Sequence, residues 1–354
     1  MPTALNFTAA DTFIKEGLNH YDQNVIKPTY PEYWGYLGKY HQAIPGLQFG
    51  QREFYSVNKD FTGKAANFGG KAQDIPLVNY QISPTGYKTM VGASAALWNW
   101  EELEAERVAA SNSLPRVPVV QSYREAMDKA LQSWMHIRTV FGDPETGFTG
   151  MIDNPYVEVV ELAGNNNPLK SDGGDGSIAS NLHNWFCDIG SSFKDRSMLT
   201  MGAGVAALTS ENVNRGLKYR FEDGSGSGTV RDLLLGLSRE STSDSSGDYR
   251  AIKIVNEMAG KHVINPDFGN LTEIQGHTIT DKDDLVLMLD AAPGTAKKHY
   301  APIQYFPVRQ TDITEWKQVG FCAVTETIYD EPIKARLYIL KDTKQLTGQM
   351  REFN

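Results

Sequence analysis

Hydrophobic positions repeat at three- and four-residue spacing along residues 122–141, which is the pattern of a helix with one buried face. The stretch QSYREAMDKALQSWMHIRTVFGD contains this repeat. Some twenty residues predict a helix about 30 Å long, the length of a domain's central helix. We expect its apolar stripe to form the core of the domain through Tyr123, Met127, Leu131, Trp134 and Phe141.

Both ends of this helix carry sequence signals. Ser122 followed by Glu125 fits a capping box at its start. Gly142 takes the position of a C′ glycine, and Pro144 prevents the helix from continuing. The next residues, FGDPETGFTGMIDNP, place acids beside glycine and proline. Such acids are usual turn residues, so we interpret this loop as a helix stop rather than a catalytic or metal-binding loop.

A shorter helix is predicted upstream, in SAALWNWEELEAERVAASN. Asn99 and Glu102 have the spacing of a capping box, and Trp98 and Leu103 fit a hydrophobic staple around it. Acids follow in the first turns, where the helix dipole favours negative charge. We therefore interpret the acidic cluster as a solvated helix face and not as a metal site.

Alternation with a period of two predicts strands on either side of this helical region. Residues 51–94 contain two such runs around the polar, glycine-rich middle TGKAANFGGKAQD, which predicts a long hairpin. A two-stranded ribbon is only marginally stable alone in water, so the hairpin must lie on its own domain or reach a partner. Two later runs, QVGFCAVTETIYD and PIKARLYILKD, predict closing strands within residues 301–354.

The first fifty residues and the middle of the chain have weaker patterns. Residues 1–50 combine aromatic residues with scattered prolines, so we interpret them as an extended arm whose rings lie on a surface of this chain or of a neighbour. From residue 165 to 300, polar glycine-rich segments alternate with short helical pieces. This composition predicts a separate α/β lobe with long loops.

Composition narrows the classes of protein. The chain has 354 residues and a formal net charge of −9, without a basic stripe of the kind that wraps nucleic acid. It has no apolar run near the ~20 residues that cross a membrane and no signal-peptide pattern at its N-terminus. We expect Cys187 and Cys322 to be reduced core residues of a chain that folds in the cytosol.

None of the segments that resemble catalytic or cofactor-binding motifs contains the residues that such a motif requires. GGKA at 69–72 is not a phosphate loop, because Ala65 and Ala72 stand where glycine and Ser or Thr are needed. SDGGDGS at 171–177 resembles a fragment of a calcium-binding repeat, but it occurs only once, and a single copy is a weak signal. GAGVAAL at 202–208 lacks the third glycine of a dinucleotide-binding site. The seven histidines form no i, i+4 pair. We expect no enzyme activity, no cofactor and no metal.

The order of these elements and several short matches resemble one family. The run from REFYSVNKDF to LEAERVAA, followed by REAMDKALQSWMHIRTVFGDPETGFTGMIDNPYV, resembles the major capsid protein of tailed bacteriophages, which has the Hong Kong 97-like fold. The family's loop pattern GD…GL.N.P.V is matched here by GD at 142–143, GF at 147–148, GMI at 150–152, NP at 154–155 and Val157. The resemblance covers roughly residues 50–160 and 285–340.

The resemblance implies an α+β fold with four named parts. Residues 1–50 would be the N-terminal arm and residues 51–94 the E-loop hairpin, both laid on neighbouring subunits. The P-domain would comprise residues 95–164, with its spine helix at 122–141, and the closing strands at 301–354. Residues 165–300 would form the A-domain.

It also implies a function and partners. The chain would self-assemble through hexamers and pentamers into the icosahedral head that encloses the phage genome, with packaged DNA nearby but not specifically bound. We expect a portal protein, a separate scaffolding protein (because the sequence begins at Met1 with an arm) and room for a decoration protein. The location would be the virion, after assembly in the host cytoplasm.

The same resemblance selects candidate intersubunit residues in the arm and the hairpin: Tyr33, Trp34, Tyr36, Lys64, Asn67, Phe68 and Lys71. Some relatives cross-link their subunits through a lysine, an asparagine and an acid. Lys64, Lys71 and Asn67 are the residues of the hairpin tip that could take part in such a link, although lysines at a loop tip are usually solvated.

Two other interpretations stay open at the level of sequence. An encapsulin-type nanocompartment uses the same architecture to enclose cargo enzymes, and an internal groove for cargo peptides would distinguish it. An α/β hydrolase or ligand-binding protein would instead bury its hairpin against itself and gather polar side chains in one pocket. A tail or adhesin component would show β-rich repeats, which the sequence lacks.

Overall fold

The computed structural model describes residues 41–62, 79–111, 118–169, 175–197, 204–220, 229–235, 249–292, 294–343 and 346. These residues divide between two compact units. The smaller contains those within Ala93–Leu131 and Ile303–Phe321, and the larger those within Tyr33–Gly92, Gln132–Pro302 and Cys322–Asn354. The candidate residues of the arm and of the hairpin tip lie outside the described residues.

Six α-helices occur in the described part of the chain: α1 (Trp100–Ser111), α2 (Val119–Val140), α3 (Asp175–Ser197), α4 (Glu211–Leu217), α5 (Val230–Leu234) and α6 (Gly260–Val263). None of these helices is both long enough and apolar enough to span a membrane.

Strands and helices are mixed, and the α+β prediction is confirmed. The described residues contain sixteen strands: β1 (His41–Pro45), β2 (Glu53–Thr62), β3 (Asn79–Asn99), β4 (Gly142–Asp143), β5 (Phe148–Thr149), β6 (Glu158–Leu162), β7 (Val205–Thr209), β8 (Tyr249–Ile254), β9 (Glu273–Ile274), β10 (His277–Thr278), β11 (Asp284–Asp290), β12 (Ala296–Tyr305), β13 (Arg309–Asp312), β14 (Glu315–Thr325), β15 (Ile328–Tyr329) and β16 (Ala335–Leu340).

A five-stranded sheet of order β6-β16-β11-β7-β8 is the centre of the larger unit. Strand β11 is antiparallel to both of its neighbours, while β16 is parallel to β6 and β7 is parallel to β8. Strands β6 and β16 come from outside residues 165–300. The lobe predicted from that range therefore does not build its sheet from its own residues alone, because pairing joins segments that are far apart in sequence.

Apolar clusters cover both faces of this sheet. On one face, Leu285 and Leu287 of β11 pack with Val140 and Phe141 from the end of α2. On the other face, Val286 of the same strand belongs to a cluster that includes side chains of α3. A sheet covered on both faces needs apolar residues at successive positions, which explains why β11 is buried along its whole length.

A second sheet has the order β1-β12-β14-β3-β2, with β13 beside β14 and β15 beside β12. Strand β1 is parallel to β12, with His41 opposite Ala296. Strands β2 and β3 pair antiparallel from Glu53 opposite Lys88 to Thr62 opposite Asn79, which is the hairpin that the alternation predicted.

The start of the long helix differs from the prediction. Helix α2 begins at Val119, so the capping box predicted for Ser122 and Glu125 is wrong, and Ser122 already donates its backbone N–H to Pro118 O. A side chain from α1 caps this end instead: Glu106 Oε2 accepts the Val119 N–H at 3.0 Å. A cap contributed by another helix leaves no local sequence signal.

The start of α1 agrees with the prediction. Asn99 Oδ1 accepts the Glu102 N–H at 2.9 Å, and Glu102 Oε2 accepts the Asn99 N–H at 3.1 Å, which completes the capping box. Trp98 and Leu103, the predicted staple, belong to one apolar cluster of the smaller unit. The acids of this helix also make specific contacts, since Glu102 accepts the Tyr123 hydroxyl at 2.9 Å.

Candidate intersubunit surface

The hairpin of β2 and β3 presents two different faces. Side chains alternate between the faces of a strand, and residues directly opposite each other in an antiparallel pair share a face. Tyr55 lies opposite Gly86 and Val57 lies opposite Pro84, so these four residues are on one side. Ile82, two residues from Pro84 along β3, is on the same side.

This side is apolar and exposed. Tyr55 and Val57 are each 59% exposed and Ile82 is 52% exposed, and Pro84 is exposed as well. The Tyr55 ring covers Gly86, where an added Cβ would lie 3.2 Å from the ring. We call Tyr55, Val57, Ile82 and Pro84 the hairpin face. Contiguous exposed apolar side chains mark interaction sites in soluble proteins.

The opposite side of the hairpin packs on its own unit. Phe54 stacks on the imidazole of His299 with ring centroids 4.1 Å apart and contacts a small cluster that contains Leu47 and Ala301. Tyr87 is buried, and this burial raises the pKa of its hydroxyl above the usual value. Among the residues that the structure describes, the hairpin is thus anchored by this side.

The loop after α2 is built as a turn. Gly142 has φ of +76°, as expected for a C′ glycine, and β4 and β5 pair across the turn. Asp143 accepts a hydrogen bond from Arg138 at 3.0 Å and another from the Thr146 hydroxyl at 2.7 Å. The described residues contain no group of three or more His, Cys, Asp or Glu side chains that could hold a metal. The geometry of Asp143 agrees with the turn interpretation.

The predicted core residues of the spine helix fall in more than one place. Met127, Leu131 and Phe141 are buried, while Tyr123 and Trp134 are half-buried. Met127 and Tyr123 belong to the apolar cluster of the smaller unit, and Phe141 belongs to the main core of the larger one. The five residues therefore do not form a single cluster, although four of them lie in α2 and Phe141 follows its last residue.

A second group of exposed apolar side chains lies in the smaller unit. Ile313, in the turn between β13 and β14, is 85% exposed. The Trp100 N–H donates to Thr314 O at 2.8 Å, which places exposed Trp100 beside this turn. Phe306 is also exposed and meets Phe321 edge to face, with centroids 5.0 Å apart.

The larger unit contains a cavity of about 140 Å³ lined by polar and charged side chains. Several of its charged groups already have partners in the chain. Arg215 pairs with Glu211 at 2.7 Å, and Asp283 pairs with Lys341 at 3.1 Å. This cavity gives no support to the ligand-binding alternative.

Lys298 and His41 are among the buried basic side chains of the larger unit. Lys298 donates to the Thr139 hydroxyl, and its burial holds the pKa of the ammonium group well below the usual value. Burial, and then the nearby Lys298, hold the pKa of His41 well below its usual value. The His41 ring lies 3.2 Å from the Thr327 hydroxyl. These residues link β1 and β12 to the end of α2, a role that the sequence did not suggest.

Sequence reasoning also missed the hairpin face and the residues at the hairpin's base, Lys88 and Glu326. The face had a signal, because EFYSVN places Phe54 on one side of the strand and both Tyr55 and Val57 on the other. A half-buried strand should alternate apolar with polar, so apolar residues on both sides indicate two covered faces. The sequence around Lys88 and Glu326 gives no comparable signal, because these two residues bind backbone groups that are far away in sequence.

Comparison with known proteins gives a consistent result. Residues 63–170 match the family model described as major capsid protein. The fold is similar to the capsid of Myoviridae phage XM1, with a TM-score of 0.63 and 9% identity over 92% of this chain and 97% of the other. A search of curated protein sequences finds no relative of this chain.

Two further capsids have the same fold. The capsid of the native GTA particle gives a TM-score of 0.55 and 9% identity over 95% of this chain and 99% of the other. The mature capsid of bacteriophage PhiM1 gives a TM-score of 0.52 and 9% identity over 92% of both chains. The family model thus matches residues 63–170, and nearly the whole chain has the fold of phage capsid proteins.

Proposed function

We propose that copies of this chain associate into hexamers and pentamers through the hairpin face, and that these close the icosahedral shell around a tailed-phage genome. The observation that carries this proposal is the exposed apolar side of a hairpin whose other side is packed on its own unit. A second copy of the chain is the occupant that a shell-forming fold makes available.

The energetics favour many modest contacts. Burying one exposed Val or Ile side chain contributes about 1.5–3 kcal/mol at most, so a single hairpin gives a weak contact. In a closed shell every subunit both offers and receives a hairpin, and symmetry repeats the contact around each ring. The exposed turn at Ile313 offers a further contact region in the smaller unit.

Other parts of the function are proposals with less support. The net charge of −9 suits a wall that encloses DNA without gripping the phosphates. Scaffolding, portal and decoration proteins as partners, and assembly in the host cytoplasm, follow from the capsid family alone. So do the arm, E-loop, P-domain and A-domain boundaries, and contacts through Tyr33, Trp34, Tyr36, Lys64, Asn67, Phe68 and Lys71.

The test is the assembly state of the purified chain, measured by sedimentation velocity and negative-stain imaging. The parent chain should form shells, or hexamers and pentamers. Val57→Asp should sediment as a monomer with an unchanged circular dichroism spectrum, because a buried charge without a partner opposes docking. Ile333→Asp makes the same chemical change at an exposed apolar residue outside the hairpin and should assemble.

Two outcomes would contradict the proposal. Normal shells from Val57→Asp would exclude the hairpin face as the contact, and a parent chain that stays monomeric or dimeric under all conditions would exclude shell formation itself. Small shells that enclose a protein instead of DNA would favour the nanocompartment alternative.

A further inference from the structure

One carboxylate holds the base of the hairpin against the loop that ends the spine helix. Glu326, which follows β14, is only 7% exposed. Its Oε2 accepts the Lys88 N–H of β3 at 2.9 Å, and its Oε1 accepts the Thr149 N–H of β5 at 3.0 Å. Hydrogen bonds to a charged acceptor are stronger than neutral ones, so this bridge joins the two segments firmly.

Further hydrogen bonds tie the same three segments together. The Glu326 N–H donates to Lys88 O at 3.1 Å, and the Thr327 N–H donates to Thr149 O at 3.3 Å. The Lys88 ammonium reaches the other side of the loop and donates to Gly147 O at 2.9 Å and to Thr146 O at 3.2 Å. The hairpin and the loop are therefore joined through side-chain and backbone atoms alike.

Because these hydrogen bonds lie at the base of the hairpin, a small change there moves its far end by a larger distance. Lys88 opposes Glu53 in the first pair of the hairpin ladder, at its base. Ten residues of β3, from Lys88 to Asn79, extend about 30 Å beyond this point at the usual rise of a strand. A rotation of about 10° at the base would move Asn79 by about 5 Å, enough to misplace an apolar contact.

We propose that Glu326 is a positioning residue that fixes the direction of the hairpin, with Lys88 as its partner, and so selects the subunit geometry that closes into a uniform shell. This inference rests on the proposed docking of the hairpin on a second copy. It assigns to Glu326 a role in the accuracy of assembly in addition to a contribution to stability.

The test compares Glu326→Gln with Glu145→Gln, an exposed acid of the same loop. Glutamine keeps the size of the side chain, but its NH₂ group faces an N–H donor, so one arm of the bridge is lost. The hairpin's direction is measured in the unassembled subunit by electron-spin distance measurement between labels at positions 57 and 273, with Cys187→Ser to remove a reactive site. We expect one narrow distance distribution for the parent and for Glu145→Gln, and a broader or shifted one for Glu326→Gln.

Assembly of the unlabelled variants is then imaged. We expect Glu326→Gln to lose uniform shells and to give open or irregular particles, while Glu145→Gln forms shells like those of the parent. Lys88→Met removes only the hydrogen bonds of the ammonium group and should show the same defect in weaker form. It replaces Glu326→Gln as the test variant if Glu326→Gln does not fold.

The inference is wrong if folded Glu326→Gln and Lys88→Met keep both the parent's distance distribution and its shells. Failure of the parent itself to assemble would overturn the proposed function instead. The distance measurement would still report whether Glu326 fixes the hairpin, so the two failures are distinguishable.

Discussion

Strand β11 and the hairpin of β2 and β3 both carry apolar residues on both faces but have very different surroundings. Every residue of β11 is buried, because the chain covers both faces of its sheet. The hairpin also has apolar residues on both faces, yet the described residues cover only the face with Phe54 and Tyr87. Apolar residues on both sides of a strand predict two covered faces, and for the hairpin the described part of the chain supplies one cover.

The difference separates residues that stabilise the subunit from residues that we propose join subunits. A buried side chain of β11 contributes to the free energy of unfolding of a single chain. An exposed side chain of the hairpin face contributes mainly when a second surface covers it. Substitutions in the two regions should therefore affect different measurements.

The largest expected effect is in the core strand. Leu287→Ala removes a fully buried side chain and should lower the free energy of unfolding of the unassembled subunit by about 3 kcal/mol, through lost burial and the cavity left behind. Urea unfolding followed by circular dichroism measures it. Val57→Ala should change this free energy by less than about 0.5 kcal/mol, as expected for an exposed position. A cost for Val57→Ala close to that of Leu287→Ala would mean that the chain itself covers the hairpin face.

The loop at the hairpin's base should respond as core does. At Gly150, an added Cβ would lie 2.3 Å from Gly142 N and 2.4 Å from the carbonyl carbon of Phe141. Backbone atoms cannot move aside as a flexible side chain can, so Gly150→Ala should cost about 2 kcal/mol of unfolding free energy. Glu145→Ala, at an exposed position of the same loop, is the matched control and should leave urea unfolding unchanged. Equal stability of the two variants would show that the loop is loosely packed.

The smallest effect concerns a partly buried acid in this loop. Burial raises the pKa of Asp153 to about 6 from the usual 3.8. The folded state then binds more protons than the unfolded state between these values, so Asp153 lowers stability as pH rises through about 6. Asp153→Asn cannot ionise and should raise Tm by about 1–2 °C at pH 8.

Measuring Tm across the pH range supplies the control for Asp153→Asn. Below about pH 3 the carboxyl group is protonated in both states, so the difference in Tm from the parent should disappear. A difference in Tm that is the same at about pH 3 and about pH 8 would exclude ionisation of Asp153 as its cause.

Local signals in the sequence predicted the elements that local interactions define. The helix stop at Gly142 and the capping box of Asn99 and Glu102 each depend on residues within a few positions, and both are confirmed. The alternation in residues 51–94 predicted a hairpin in the same way, and β2 pairs with β3.

Features that depend on distant segments were not predictable. The cap on Val119 comes from Glu106, thirteen residues away, and Glu326 binds backbone groups 177 and 238 residues away. The central sheet pairs β16 with β6, which are separated by nearly half of the chain. The same limit applies to the hairpin face, since a sequence pattern does not state which of two apolar faces the chain itself covers.

The position of β16 between β6 and β11 has a consequence for synthesis in the cell. The sheet cannot form its complete ladder until residues 335–340 have left the ribosome, although β6 is made more than 170 residues earlier. A chain released before that point lacks a central strand and cannot present a finished subunit surface. We therefore expect the completed sheet to form only in chains that have been translated through residue 340.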